Sequence, residues 1–552
     1  MSAVIFEPTA HRRAKVAPRR DDWWRGAVIY QIYPRSFQDS NGDGIGDLPG
    51  IVARLDHVAR LGADVIWISP FFKSPMKDYG YDVADYRHVD PLFGTDRDFD
   101  TLLAAAHERD LRVMIDLVPS HTSNQHAWFL ESRESRDNPK SDWYVWADPK
   151  ADGTPPTNWL SIFGGSAWEW EPRRAQYYLH NFLKEQPDLN FHNPEVIAAL
   201  LDVCAFWLDR GVDGFRVDAI DFGVHDILLR DNPVRPACER SRWDGNNPFN
   251  FQIPLYNKNR PELSDLFLKP LYELTEKYSG KVLLGEISGD RVMERAAEYT
   301  NGGGFDFCYS FDLMHAPPTP AAIRSVVERQ ERVIEQGWAC WAFANHDVDR
   351  ASSRFAQHWG MSPYLGLFIP VLLTSLRGSA CLYQGDELGL PQSELSFTQL
   401  RDPYGIAFWP HFKGRDGVRT PIPWEADAPY CGFSRHEPWL PIGAGHREYA
   451  VDRQRSDPHS TLSLLGAFLA WRKKEPALKR GAIRFLDDLP ENTLGFVRTL
   501  SDIQIYCYFN FGTDAQQLAL PTLLTPLPAP GARAEVRNRM LALEGHGFFM
   551  GR

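Results

Sequence analysis

Several things are scarce in this chain of 552 residues. Cysteine is one: there are seven, an odd number, and no two form a C-x-x-C pair. That argues against a disulfide framework or a thiolate zinc site and leaves buried, reduced thiols as the expectation. Positive charge is another. Sixty Lys and Arg face 72 Asp and Glu, a formal net charge of -12, so no basic surplus exists to neutralise a phosphate backbone and nucleic acid is not expected as a partner. Long apolar runs are missing too. The longest, residues 365–376, is too short to span a bilayer and carries Pro370; it reads as a buried helix, and no membrane partner is expected. The N-terminus holds Arg12, Arg13, Lys15, Arg19 and Arg20 with no apolar stretch behind them, so it does not read as a secretory signal and the expected location is cytoplasmic. Finally, there is no Gly/Ser-rich linker and no internal repeat, which points to packed domains.

What is present is an ordinary globular composition, 43% hydrophobic and 24% charged, on a chain long enough for two or three domains. Aromatics are plentiful, with 18 Trp, 20 Tyr and 33 Phe. Most such side chains fill cores, yet sugar rings also bind on aromatic faces. Strand-like and helix-like segments alternate, the mark of parallel α/β architecture. Strands are predicted at 27–33, 64–69, 112–118, 214–219, 282–287, 305–311, 339–344 and 380–384, and helices at 95–109, 194–210 and 321–336. Eight units in series predict a closed (β/α)8 TIM barrel, with an open doubly wound sheet as the alternative. The barrel should occupy 1–121 and 187–480. Residues 122–186 lack a helical pattern and are too long for a loop, so they read as a subdomain inserted after strand 3. Residues 481–552 read as short strands of a C-terminal antiparallel, sandwich-like β domain.

The chemistry is concentrated at predicted strand ends. Asp116-Leu117-Val118-Pro119-Ser120-His121, Gly214-Phe215-Arg216-Val217-Asp218, Leu284-Gly285-Glu286-Ile287 and Phe343-Ala344-Asn345-His346-Asp347 would each deliver carboxylate or histidine to one barrel mouth. Arg216 and Asp218, two apart on a strand, share a side-chain direction, and a guanidinium beside a carboxylate favours the anion a nucleophile needs. Glu286 follows an apolar strand, where partial desolvation favours the acid form. Three carboxylates in one cleft suit cleavage of an acetal such as a glycosidic bond. Taken singly, each of these residues has a plainer reading as a structural ion pair or a surface group; the joint placement is what carries the argument.

These segments resemble the conserved regions of the α-amylase family, glycoside hydrolase family 13. Gln186-Pro187-Asp188-Leu189-Asn190 and Tyr383-Gln384-Gly385-Asp386-Glu387 are similar to two further family signatures, and the resemblance covers about residues 23–424. Within the family, Gly80-Tyr81-Asp82, residues 186–190 and Arg415-Asp416-Gly417-Val418-Arg419-Thr420-Pro421 resemble the oligo-1,6-glucosidase and α-glucosidase branch, including bacterial α-glucosidases with glucosyl-transfer activity. The resemblance implies Asp218 as nucleophile, Glu286 as general acid/base and Asp347 as transition-state stabiliser. It implies Asp82, His121, Arg216, His346 and Arg415 as holders of a terminal glucose, with Tyr81, Phe163, Phe182 and Gln186 lining its pocket. One position departs from the pattern: Ser120 stands where the family usually has the Asn of an α-amylase calcium site, so that metal site is not expected.

Another metal loop is. Asp39-Ser40-Asn41-Gly42-Asp43-Gly44-Ile45-Gly46-Asp47 places oxygen donors at alternate positions with Gly at the sixth, as in an EF-hand, but Gly50 replaces the closing Glu. The residues alone read as an Asp/Asn/Gly-rich turn. The resemblance implies a structural Ca2+, with Mg2+ as the alternative ion, held by Asp39, Asn41, Asp43 and Asp47 side chains and the Ile45 carbonyl.

The implied activity is a retaining, exo-acting α-glucosidase, with nucleophile and acid/base about 5–5.5 Å apart. Its implied partners are small α-glucosides and glucosyl acceptors. Ala219, after the nucleophile, goes with α-1,4 rather than α-1,6 cleavage in this branch. Oligo-1,6-glucosidase and sucrose hydrolase are the alternatives. From another class, a non-catalytic amylase-like transporter partner would need a membrane helix and would lack the catalytic set. Oligomeric state is not legible.

Overall fold

The computed structural model describes residues 22–240, 251–289, 291–301, 303–334 and 337–552. The N-terminal basic cluster and residues 335–336 of the third predicted helix lie outside the described residues. Eight parallel strands close into a barrel: β1 (Val28–Ile32), β2 (Val65–Ile68), β3 (Arg112–Leu117), β4 (Gly214–Val217), β5 (Val282–Ile287), β6 (Phe307–Ser310), β7 (Ala339–Trp341) and β8 (Ser379–Tyr383), with β8 pairing back to β1. The open-sheet alternative is thereby excluded.

Both faces of each strand are buried, which is why the sequence runs apolar rather than alternating. The alternation is instead between two cores. Ile29, Val65, Trp67, Met114, Leu284, Phe307, Tyr309, Cys340 and Cys381 fill the barrel interior. Val28, Tyr30, Ile32, Ile66, Ile68, Val113, Ile115, Phe215 and Val217 point outward into the helical layer. On the strands that carry the site, the inward series passes from apolar to charged towards the C-terminal end: Met114 then Asp116 on β3, Leu284 then Glu286 on β5. Register completes the placement. Arg216 pairs with Asp116 on one side and Leu284 on the other, so Glu286 stands level with Asp218 on the adjacent strand.

The helix after the insert, Pro194–Arg210, begins at an Asn193 side chain that caps Glu195 N, has Pro at its first turn, and stops at left-handed Gly211, each where backbone chemistry favours it. Its Trp207 is fully buried and donates its indole N–H to the Tyr86 carbonyl at 2.8 Å. The apolar segment Leu365–Ser375 is a buried helix with Pro370 inside it.

Between β3 and β4 the chain forms a three-stranded antiparallel sheet, Trp146–Ala147, Gln176–Leu179 and Trp168–Glu171, around a small core of Val145, Trp159, Ala167, Trp168 and Leu179. A short helix, Ala127–Ser132, precedes it. From Ala482 onwards a four-stranded and a three-stranded antiparallel sheet follow, joined by Tyr508, Leu518, Leu541, Leu543 and Phe549. Two predicted strands end two or three residues early. β7 stops at Trp341 because Asn345 turns back to pair with Val348, and β4 stops at Val217 because Ala219 is left-handed (φ 39°, ψ 36°).

Trp207→Ala is expected to cost about 3–5 kcal/mol, since it opens a large cavity and strands the Tyr86 carbonyl. A denaturant midpoint lowered accordingly, with the exposed Trp170→Ala within about 0.5 kcal/mol of wild type, checks it.

Candidate active site

One buried guanidinium organises the barrel mouth. Arg216 Nη1 lies 2.6 Å from Asp116 Oδ1 and also pairs with Asp218 Oδ1; its Nη2 lies 2.5 Å from Glu286 Oε1. The guanidinium sits 4.8 Å from the centre of the Trp67 ring. Trp67 in turn donates its indole N–H to Asp116 Oδ2 at 3.0 Å, so the base of the cluster is fixed by strand residues on β2, β3 and β4. Glu286 Oε2 accepts the Ala219 backbone N–H at 2.8 Å.

Three carboxylates thus share one cation. Burial pushes Asp116, Asp218 and Glu286 all upward, and Arg216 opposes it in each case; mutual repulsion adds to the rise for Asp218 and Glu286. Bound to adjacent nitrogens of the same guanidinium, Asp218 and Glu286 titrate as a pair. Burial holds both carboxyls above the usual carboxylate range, with Arg216 opposing the rise. An anion next to an acid is what a two-carboxylate displacement requires.

Asp347 is set differently. Its Oδ1 is 2.6 Å from Arg419 Nη2 and 3.3 Å from Arg415 Nη1, and its Oδ2 is 3.4 Å from His346 Nε2. Burial pushes its carboxyl up, but the guanidiniums of Arg415, Arg419 and Arg216 outweigh that and hold it well below the usual range. His346 is pushed down to about 3 by burial and is neutral. It lies 2.7 Å from the Tyr81 hydroxyl and stacks on that ring at 5.5 Å, while the Gln31 amide contacts its other nitrogen at 2.7 Å. His121, pushed down to about 4 by burial, is neutral too. Its ring packs 5.0 Å from Phe182, which is followed by Phe163 at 6.5 Å and Phe222 at 5.1 Å. Arg415 lies 5.5 Å from the Phe163 ring centre.

The structure therefore brings together Asp218, Glu286, Asp347, Tyr81, His121, Phe163, Phe182, Gln186, Arg216, His346 and Arg415. Asp82 is the correction. Its carboxylate accepts from Ser74 Oγ and from the backbone N–H of Lys77 and Asp78, at 2.8 to 3.0 Å. Burial pushes it up to about 6. It ties the loop after β2 together and reaches the charged cluster only through the Asp78 backbone. Asp78, four residues earlier, takes that place: it pairs with Arg415 at 2.9 Å and accepts from the Gln186 amide at 3.2 Å. Sequence reasoning also passed over Asp116, Asp402 and Arg419. Asp402 is fully buried against Arg415 at 2.8 Å. Asp116 was legible as the inward residue after Met114, and Arg419 as the second arginine of the segment 415–421; Asp402 shows in the sequence only as the cap before Pro403 of a short helix.

The loop at 39–47 has the chemistry of a hard-cation site, three carboxylates and an amide oxygen. Its oxygens are engaged by the loop itself: Asp39 accepts from Gly42 N and Gly44 N, Asn41 from Asp43 N, Asp43 from Ile45 N, and Asp47 from Gly50 N, at 2.6 to 2.9 Å. Among the described residues, no three His, Cys, Asp or Glu side chains converge on a metal-sized centre. The donor types suit Ca2+, and the oxygens recur at alternate positions as in an EF-hand loop.

The α-amylase catalytic-domain profile matches residues 31–481. The chain belongs to the α-amylase family. It is accordingly a glycoside hydrolase of family 13. It is 53% identical over 538 residues to a probable alpha-glucosidase of Rhizobium meliloti (strain 1021), across 96% of this chain and 97% of that protein. It is 38% identical to an oligo-1,6-glucosidase of Heyndrickxia coagulans, across 80% and 83%. Among solved structures, the alpha-glucosyl transfer enzyme XgtA superposes with a TM-score of 0.93 at 54% identity, covering 96% of this chain and 99% of that one. An isomaltulose synthase mutant from Erwinia rhapontici NX5, in complex with sucrose, gives 0.87 at 31% identity, covering 97% and 100%. No helix among the described residues is long and apolar enough to cross a membrane.

Asp78→Ala and Asp82→Ala separate the two loop carboxylates. The first is expected to lower kcat/KM about 100-fold through loss of charge-assisted bonds. The second should mainly lower the melting temperature, by unravelling the turn. Steady-state kinetics and thermal melts of both variants read the difference.

Proposed function

We propose that the protein is a retaining, exo-acting α-glucosidase that hydrolyses terminal α-1,4-glucosidic bonds of maltose and short α-glucosides and also passes glucosyl groups to acceptors. The observation that carries this reading is the pairing of Asp218 and Glu286 on one guanidinium, level with each other on β4 and β5. Asp218 attacks the anomeric carbon while Glu286 protonates the departing oxygen. Glu286 then removes a proton from an incoming water or sugar hydroxyl, and the glycosyl–Asp218 ester is cleaved. Asp347, kept anionic by its arginines, grips sugar hydroxyls as positive charge develops at the ring.

Exo-action follows from the charged floor. Arg415, Asp402, Asp78 and Gln186 interlock beside Phe163, Phe182 and His121, an arrangement suited to closing one end of the pocket. The α-1,4 preference rests on Ala219, whose small side chain follows the nucleophile. Its left-handed backbone also suits Ala better than a β-branched residue. Relatives named oligo-1,6-glucosidase support α-1,6 cleavage as the second reading. The transfer function is supported by the likeness to XgtA. All seven cysteines are unpaired, six of them buried, which fits a reducing, cytoplasmic compartment. The loop at 39–47 is proposed to bind a structural Ca2+, remote in sequence from the catalytic carboxylates.

Asp218→Asn should lower kcat by more than about 1,000-fold while leaving the melting temperature within a few degrees; retention of a tenth of the activity would remove Asp218 from its role. Initial rates should rank maltose above isomaltose and sucrose, and faster isomaltose cleavage would overturn the linkage assignment. Chelation by EDTA should lower the melting temperature by a few degrees, restored by Ca2+, with catalysis at 25 °C unchanged. An identical melt with and without Ca2+ would remove the ion.

A further inference from the structure

The loops that leave β4 and β5 are joined by groups that the displacement itself does not use. Directly after Asp218 the chain turns left-handed at Ala219, a conformation that residues with a Cβ seldom adopt. The turn aims the Ala219 N–H at Glu286 Oε2, 2.8 Å away. Such a turn persists only where its surroundings over-determine it. Here Asp221, three residues past the nucleophile, accepts at Oδ2 both the backbone N–H and the hydroxyl of Ser288, each at 3.0 Å. Ser288 is two residues past the acid/base. Lys258 donates to Ser288 Oγ at 2.8 Å and stands 3.3 Å from Asp221 Oδ2. The ammonium also lies 4.2 Å from the Phe222 ring centre. The next residue, Asn259, donates its backbone N–H to the Asp221 carbonyl at 2.6 Å and its side-chain amide to the Ser288 carbonyl at 3.3 Å. Asp221 is 1% exposed and Lys258 6%. An ammonium held this far from water, on a carboxylate that bridges the two catalytic loops, has a plain mechanical consequence.

We propose that Lys258 is a positioning residue for the acid/base. By clamping Asp221 to Ser288 it holds the left-handed turn, keeps the Ala219 N–H on Glu286, and fixes the carboxyl where it can reach the leaving oxygen. The proposal rests on the glucosidase reading above and adds a residue to it that touches neither substrate nor reacting atoms. Its signature is selective. A misplaced acid slows departure of a leaving group that must be protonated, and matters little for one that leaves as a stable anion.

The test compares kcat/KM, which reports the glycosylation step, for maltose and for α-glucosyl fluoride in wild type, Lys258→Met and Ser288→Ala. Wild type is expected to turn over both. Lys258→Met should lose about 10- to 100-fold on maltose, a fraction of the full worth of a general acid, and less than about 3-fold on the fluoride. Ser288→Ala, which removes a single hydroxyl, should show the same asymmetry more weakly, and it decides the matter if Lys258→Met does not fold. Equal losses on the two substrates in the folded variants, or no loss, would overturn the positioning role while leaving the glucosidase reading intact. A wild type inert towards both substrates would instead overturn that reading, and the role with it.

Discussion

A single desolvated cation sets the terms for the whole barrel mouth. Arg216 has almost no contact with water and faces Asp116, Asp218 and Glu286 at once. Removing three carboxylates from water is tolerable only because that guanidinium compensates part of their charge, and it compensates only part. The remainder appears as retained protons. The same arrangement would be a liability in a purely structural core, where neutral packing would serve better; in a cleft that must present a nucleophile beside an acid, incomplete compensation is the useful state. The surrounding apolar layer, with Trp67 against the guanidinium and Tyr309 nearby in the same interior cluster, keeps water from restoring full ionisation.

The second charged group works by the opposite rule. Around Asp347 the cations are in excess: Arg415 and Arg419 reach it from one short segment after β8, and the neutral His346 and Tyr81 stack beside it. Two carboxyls at neighbouring strand ends are therefore pushed up, while a third, Asp347, is held down. The distinction arises from how many guanidiniums each faces, since burial acts on all three in the same direction. Residue type alone would not have separated their roles.

How far the sequence could be read follows from the range of the interactions involved. The barrel strands and the catalytic carboxylates were legible because local rules govern them: apolar runs mark strands buried on both faces, and alternate residues on one strand face the same way, so that spacing alone puts Arg216 and Asp218 side by side. The loop after β2 misleads for the complementary reason. Asp78 and Asp82 are both acids in one turn, and the choice between them depends on where backbone N–H groups point. Lys77 and Asp78 present theirs to Asp82, which leaves Asp78 for Arg415, 337 residues away. Asp402 was illegible on similar grounds, because its only sequence mark is the capping of a short helix. The three-stranded sheet of the insert also escaped, since strands of two to four residues carry too few positions for a period to show.

That insert has a small hydrophobic centre of its own, with Trp159 and Trp168 stacked at 5.7 Å, and it meets the barrel through short bridges such as Tyr144 to Leu189. A unit that stabilises itself can drift in sequence without loosening the strands that carry the nucleophile and the acid. Evolution can therefore rework the rim that meets incoming molecules while the bond-breaking apparatus stays constant, and a laboratory recombining such inserts between related barrels would be exploiting the same seam.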